Sequence, residues 1–182
     1  MIILVTNGFT NNIFGQGKFK ISQFDPFVPA AYRVMNMASG DLNNDSYADY
    51  VLVLQNFNET MDGDEVRPLL VIISGPKGRM TLLARNDSVV LSKNGGGVFG
   101  DPFKSVTIKN GLLTIEHSVG ANWRWDRVIS FTYNPSIKEI VLHKDADISY
   151  NISDPGKQTD YLYNKKEYNQ LSICQYSFSK NK

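Results

Sequence analysis

Residues 123–133 of this chain, WRWDRVISFTY, constrain its fold more than any other stretch. Side chains alternate between the two faces of a strand. Trp123, Trp125, Arg127, Ile129, Phe131 and Tyr133 would share one side, and Arg124, Asp126, Val128, Ser130 and Thr132 the other. Wound as a helix, the same residues would be spread round the cylinder with no apolar face to bury. The flanking sequence extends the pattern. Residues 104–109 and 112–118 alternate too, and Asn110-Gly111 between them suits a two-residue type I′ turn, because both positions tolerate positive φ. Asn134-Pro135-Ser136 then turns the chain into residues 137–143, which gives a four-stranded antiparallel meander.

The first half repeats the style. Residues 50–55, YVLVLQ, are apolar almost without a break, as expected of a strand covered on both faces. Residues 68–73 and 80–85 read as further strands joined by Ser74-Gly75-Pro76-Lys77-Gly78. The 14 Val, 14 Ile and 21 aromatic residues against 7 Ala suit a pleated surface rather than helices. One short helix is expected at residues 164–171 and a closing strand at 172–178. The expected architecture is all-β: two antiparallel meanders forming a sandwich or a pair of propeller-like sheets. Residues 1–25 read as an irregular N-terminal arm and 26–182 as a single β domain.

Charge and composition exclude several function classes. With 19 Lys+Arg against 18 Asp+Glu, the chain lacks the basic excess of a dedicated nucleic-acid binder. No apolar run approaches the ~18 residues of a membrane span. Cys174 stands alone, which excludes an internal disulfide and a Cys-rich zinc site.

The sharpest motif is Asp41-Leu-Asn43-Asn-Asp45-Ser-Tyr47-Ala-Asp49. Side-chain oxygens at its first, third, fifth and ninth positions, with the Tyr47 carbonyl, would wrap a hard cation. Calcium takes about 6–8 oxygens, and alternate residues of a tight loop can present them. Leu52 occupies the place where an EF-hand carries its bidentate Glu, so the motif is a loop running into a strand and not an EF-hand. An Asx-rich turn without metal is the competing reading, since Asp and Asn also favour such turns through local hydrogen bonds.

Residues 40–54, GDLNNDSYADYVLVL, resemble the calcium loop of FG-GAP and VCBS-type β-repeat proteins, in which the loop opens a hydrophobic strand. The resemblance implies calcium as the bound ion, with Asp41, Asn43, Asp45, Tyr47 (through its carbonyl) and Asp49 as its ligands. Ser46 departs from the pattern, which prefers Gly for its sharp turn. More broadly, the blocks ARND (84–87), GGVFGDPF (96–103), IKNGLLTIEH (108–117) and WRWDRVISFTY resemble an uncharacterised family of exported bacterial β-rich proteins. That resemblance implies an extracytoplasmic location, whether periplasmic, lipid-anchored or secreted.

Other constellations are weaker. The glycines of residues 95–100 formally match G-x-G-x-x-G, but Asp101-Pro102 follows where a dinucleotide site needs a helix. The stretch reads better as a crowded crossing between sheets, or as an exposed loop that meets a partner. Phe99, Phe103, Trp123 and Trp125 are the aromatic residues expected to bind a protein or glycan if exposed, although core packing competes for each. A hydrolase would draw on Glu116, His117 or a loop Asp, yet neighbours on a strand face opposite ways. The expectation is a non-enzymatic exported β module with a calcium-stabilised loop. The alternatives are that hydrolase and an inhibitor or immunity-type partner protein.

Overall fold

The computed structural model describes residues 21–162 and 170–178. Nine strands form two antiparallel sheets. The first comprises β1 (Tyr32–Gly40), β2 (Asp49–Asn56), β3 (Leu69–Ser74) and β4 (Met80–Asn86), hydrogen-bonded in that order. The second comprises β5 (Phe103–Lys109), β6 (Leu112–Gly120), β7 (Trp123–Asn134), β8 (Glu139–Asn151) and β9 (Asp154–Leu162), again in chain order. Each sheet is a simple meander. The chain passes between them after β4, through a 3-10 helix at Lys93–Phe99. No helix among the described residues is long and apolar enough to cross a membrane.

The core lies between the sheets. Val51, Val53, Leu69, Val71 and Ala84 of the first sheet belong to one cluster with Val106, Leu113, Ile115, Ile129, Phe131 and Leu142 of the second. Each fully buried aliphatic side chain contributes about 1.5–3 kcal/mol of transfer free energy, so this layer is the main force holding the sheets face to face. The first sheet is covered on its other side as well. Leu52, Leu54, Leu70 and Ile72 pack there with Phe24, which a 3-10 helix at Ile21–Phe27 presses against the Tyr50 ring, 5.0 Å centroid to centroid. The unbroken apolar run of β2 has this physical cause: alternate residues feed two separate clusters.

The long alternating strand forms as its sequence dictates, and β7 pairs along its length with β6 and β8. The Asn110-Gly111 turn has φ of 52° and 73°, the left-handed pair that a type I′ turn requires. Three elements differ from expectation. β1 is an additional edge strand, hidden in the sequence because a bulge between Val34 and Asn36 breaks its alternation. β8 extends beyond the expected 137–143 to Asn151, and the chain returns as β9, a strand the sequence did not mark. The Pro155-Gly156 of β9 is tolerated because the strand lies at the sheet edge.

The C-terminal segment also differs. Ser172 makes a single bridge to Val141, flanked by Ile173 N–H to the Ile140 carbonyl and Leu142 N–H to the Leu171 carbonyl, both 2.8 Å. The chain then turns, with Tyr176 N–H donating back to the Ser172 carbonyl, and does not continue as a strand. Most of the short helix expected at 164–171, and residues 1–20 of the N-terminal arm, lie outside the described residues.

Candidate functional site

The Asp41–Asp49 motif forms the connection between β1 and β2, at one end of the sandwich. Gly40 sets its position. A Cβ there would stand 2.6 Å from Ile108 Cγ2, so only glycine lets the end of β1 cross this closely against β5. The crossing brings the motif beside the Asn110-Gly111 turn.

Within the loop, carboxylates hold backbone amides. Asp41 Oδ1 and Oδ2 accept from the Asp45 and Ser46 N–H groups at 3.2 and 2.8 Å. Asn43 Oδ1 accepts from the same Asp45 N–H at 3.2 Å, so two of the expected ligand oxygens share one partner. Asp45 Oδ1 accepts from Tyr47 N–H, and its Oδ2 from the Asn43 amide, both at 2.9 Å. Asn44 and Ser46 sit at φ 61° and 71°. Ser46 thus adopts the left-handed conformation that favours glycine, at a cost of about 1–2 kcal/mol.

Asp49 stands apart from the other expected ligands. It is fully buried, and its two oxygens accept from Leu42 N–H and Ser74 N–H, each at 2.9 Å. Burial raises its pKa above the ordinary range despite those two amides. Its present work is to tie the loop to the start of β2 and the end of β3. The fit to calcium is therefore partial. Asp41, Asn43 and Asp45 gather on one stretch of loop, while Asp49 is engaged elsewhere. Among the described residues no three His, Cys, Asp or Glu side chains converge as a metal-holding group.

The residues named for hydrolysis do not meet. Glu116 is exposed and accepts from Ser105 Oγ at 2.9 Å, whereas His117 is buried on the opposite face of β6. His117 Nε2 accepts from Leu91 N–H at 3.2 Å, and Nδ1 has no partner among the described residues. Burial, reinforced by the nearby Arg127 charge, lowers the His117 pKa to about 4. Asp101, the aspartate of the glycine-rich loop, grips Arg67 through both oxygens at 2.7 Å, with Glu59 on the guanidinium's other side. Burial would raise the pKa of both carboxylates, but hydrogen bonds from Arg67 outweigh it and hold them below the ordinary range.

The aromatic candidates divide. Phe99 and Trp123 are exposed at 58% and 54%, and Val98, the chain neighbour of Phe99, at 96%, so these loop and hairpin tips are the ones a partner could touch. Phe103 and Trp125 pack on the core, Trp125 edge-on to Phe178 at 6.1 Å.

Two polar networks had little announcement in the sequence. Arg127 forms a fully buried bidentate pair with Asp145 at 2.7 Å, the Tyr176 hydroxyl donates to Asp145 Oδ2 at 2.9 Å, and the Phe178 ring lies 4.1 Å from the guanidinium. The place of Arg127 among Ile129 and Phe131 on one face was its one available signal. The Arg67 clamp had none, because its partners come from two separate loops.

Beside the motif lies a cleft of about 490 Å³, between Asp41–Asn44, the Asn110-Gly111 turn and the end of β7 at Thr132 and Tyr133. Comparison with protein-family models, with curated proteins and with solved structures finds no match to this chain.

Proposed function

We propose that this chain is a non-enzymatic β-sandwich binding module that works outside the cytoplasm, with the 41–49 loop taking calcium as a structural ion. The observation that carries the reading is the gathering of Asp41, Asn43 and Asp45 around one turn, with Asp41 and Asn43 oxygens sharing the Asp45 amide. Calcium would draw on spare lone pairs of these side chains and on the Tyr47 carbonyl, with water completing the shell. Asp49 then serves as the anchor that holds the loop in place. The ion's effect would be electrostatic, since it neutralises clustered carboxylates that otherwise repel one another. A site of this kind is weak, on the order of 10⁻⁴–10⁻³ M, as in extracellular modules. Such an affinity is useful only where calcium is abundant. The non-enzymatic part is supported by the separation of Glu116, His117 and Asp101, each committed to a different place and partner.

Thermal melts test the metal. Calcium should raise the melting temperature, magnesium much less, because magnesium demands octahedral geometry and releases its waters reluctantly. At a hundredfold excess over Kd the gain is about 2.7 kcal/mol. Asp45→Ala should abolish the gain and leave the calcium-free protein as stable or slightly more so. Identical wild-type melts in calcium and in chelator would leave the loop an Asx turn and nothing more.

A further inference from the structure

We propose that the cleft between residues 41–44 and the Asn110-Gly111 turn binds a neutral carbohydrate. The proposal rests on the reading of the chain as a binding module and names its ligand class. The cleft, about 490 Å³, is within the range of pockets that hold small organic ligands. No Lys, Arg or His lines it, so a phosphate, sulfate or carboxylate would find no counter-charge there. Its one carboxylate, Asp41, accepts the Asp45 and Ser46 N–H groups within the loop and belongs to the proposed calcium site. Of the remaining polar residues along it, Asn43 is engaged with Asp45 through both ends of its amide, which leaves Asn44, Asn110 and Thr132. Each amide carries both donor and acceptor, and the hydroxyl does likewise, as sugar hydroxyls do in turn. Tyr133, on the opposite face of β7 from Thr132, borders the cleft while packing against the core.

The cleft is also continuous with a larger trough, of about 1200 Å³, which shares Asn110, Gly111 and Thr132 with it. Thr107 and Thr114, cross-strand partners on β5 and β6, line the trough. Lys109 and Glu116 line the trough and not the cleft. One or two rings would sit in the cleft, and a longer chain would run on past the threonines.

Asn44 and Asn110 allow a clean test. Both occupy the left-handed region, φ 61° and 52°, which glycine adopts without strain. Asn44→Gly and Asn110→Gly therefore remove an amide and keep the backbone. Cellobiose, maltose and chitobiose would be titrated into the full chain in calcium-containing buffer by calorimetry, with inorganic phosphate and spermine as charged probes. The expected result is saturable binding of at least one disaccharide and of neither charged probe. Each variant should weaken that binding about three- to tenfold, the range one hydrogen bond commands. Failure of all three disaccharides to bind, equal binding by both variants, or saturation by phosphate or spermine instead would overturn the proposal. The calcium-dependent melt, read on the same samples without sugar, keeps the two readings apart. A calcium response without sugar binding sinks the carbohydrate site alone, and sugar binding without a calcium response sinks the metal alone.

Discussion

His117 is held neutral between a backbone amide and a buried arginine, and that arrangement has a consequence for acid stability. Its pKa of about 4 in the fold lies below the ordinary 6.5, so between these values the unfolded chain binds the proton and the folded chain does not. Stability contributed by this residue is therefore present above pH 6.5 and lost as pH falls toward 4, by on the order of 3 kcal/mol. Asp49 works in the opposite sense: its raised pKa means that the folded state takes up its proton first, so acid relieves a cost. Glu59 and Asp101, lowered by Arg67, give up their contribution only further into acid. Urea melts of wild type and His117→Gln from pH 4 to 7 should isolate the histidine, because glutamine keeps an acceptor for Leu91 N–H but does not titrate. The variant's stability should change less across that window; parallel curves would mean that His117 is not the titrating group. For Asp49, replacement by alanine strands two amides at the root of the loop and should cost about 2–4 kcal/mol in the same assay.

Among the elements, the C-terminal segment depends most on a few polar contacts. Asn86, at the end of β4, donates to the carbonyls of Ile173 and Tyr176 while its own carbonyl accepts from Ser88 and Val89 N–H. From the other sheet, Asp145 receives Arg127 and the Tyr176 hydroxyl. Asp145→Asn removes the charge from a buried bidentate pair with Arg127, a loss of about 3–5 kcal/mol. Tyr176→Phe removes one hydrogen bond of the set and should cost about 1 kcal/mol. Hydrogen exchange should show amides 172–176 opening before those of β7 in the tyrosine variant. Protection unchanged in that segment would mean that its packing, not its hydroxyl, holds it. The Gly40 crossing makes a second prediction at this scale. Gly40→Ala pushes β1 off Ile108, at about 1–3 kcal/mol by chemical denaturation, and shifts the motif away from the Asn110-Gly111 turn.

At the scale of the whole molecule, the first sheet is the middle layer of three: the second sheet covers one of its faces, and Phe24, on its 3-10 helix, covers the other. Phe24→Ala should cost about 3–5 kcal/mol in equilibrium unfolding, whereas a change below 1 kcal/mol would show the outer cluster to be dispensable. The sequence alone determined which stretches are strands wherever alternation or an unbroken apolar run is long, as in β2 and β7, because the period of two is a property of each extended chain segment by itself. It determined the Asn110-Gly111 turn for the same local reason, the φ preference of two residues. Tertiary structure decided what no local period encodes. β1 and β9 are edge strands whose bulge, proline and polar residues make sense only once a neighbour is paired on one side. Asp49 accepts from two amides of different elements, since the sequence spaces its oxygens but does not say which N–H groups will reach them. Arg67 and Arg127 are buried because carboxylates from distant segments arrive beside them. Such pairings repay the desolvation of charge only in the assembled fold, so no stretch of sequence short of the whole could have announced them.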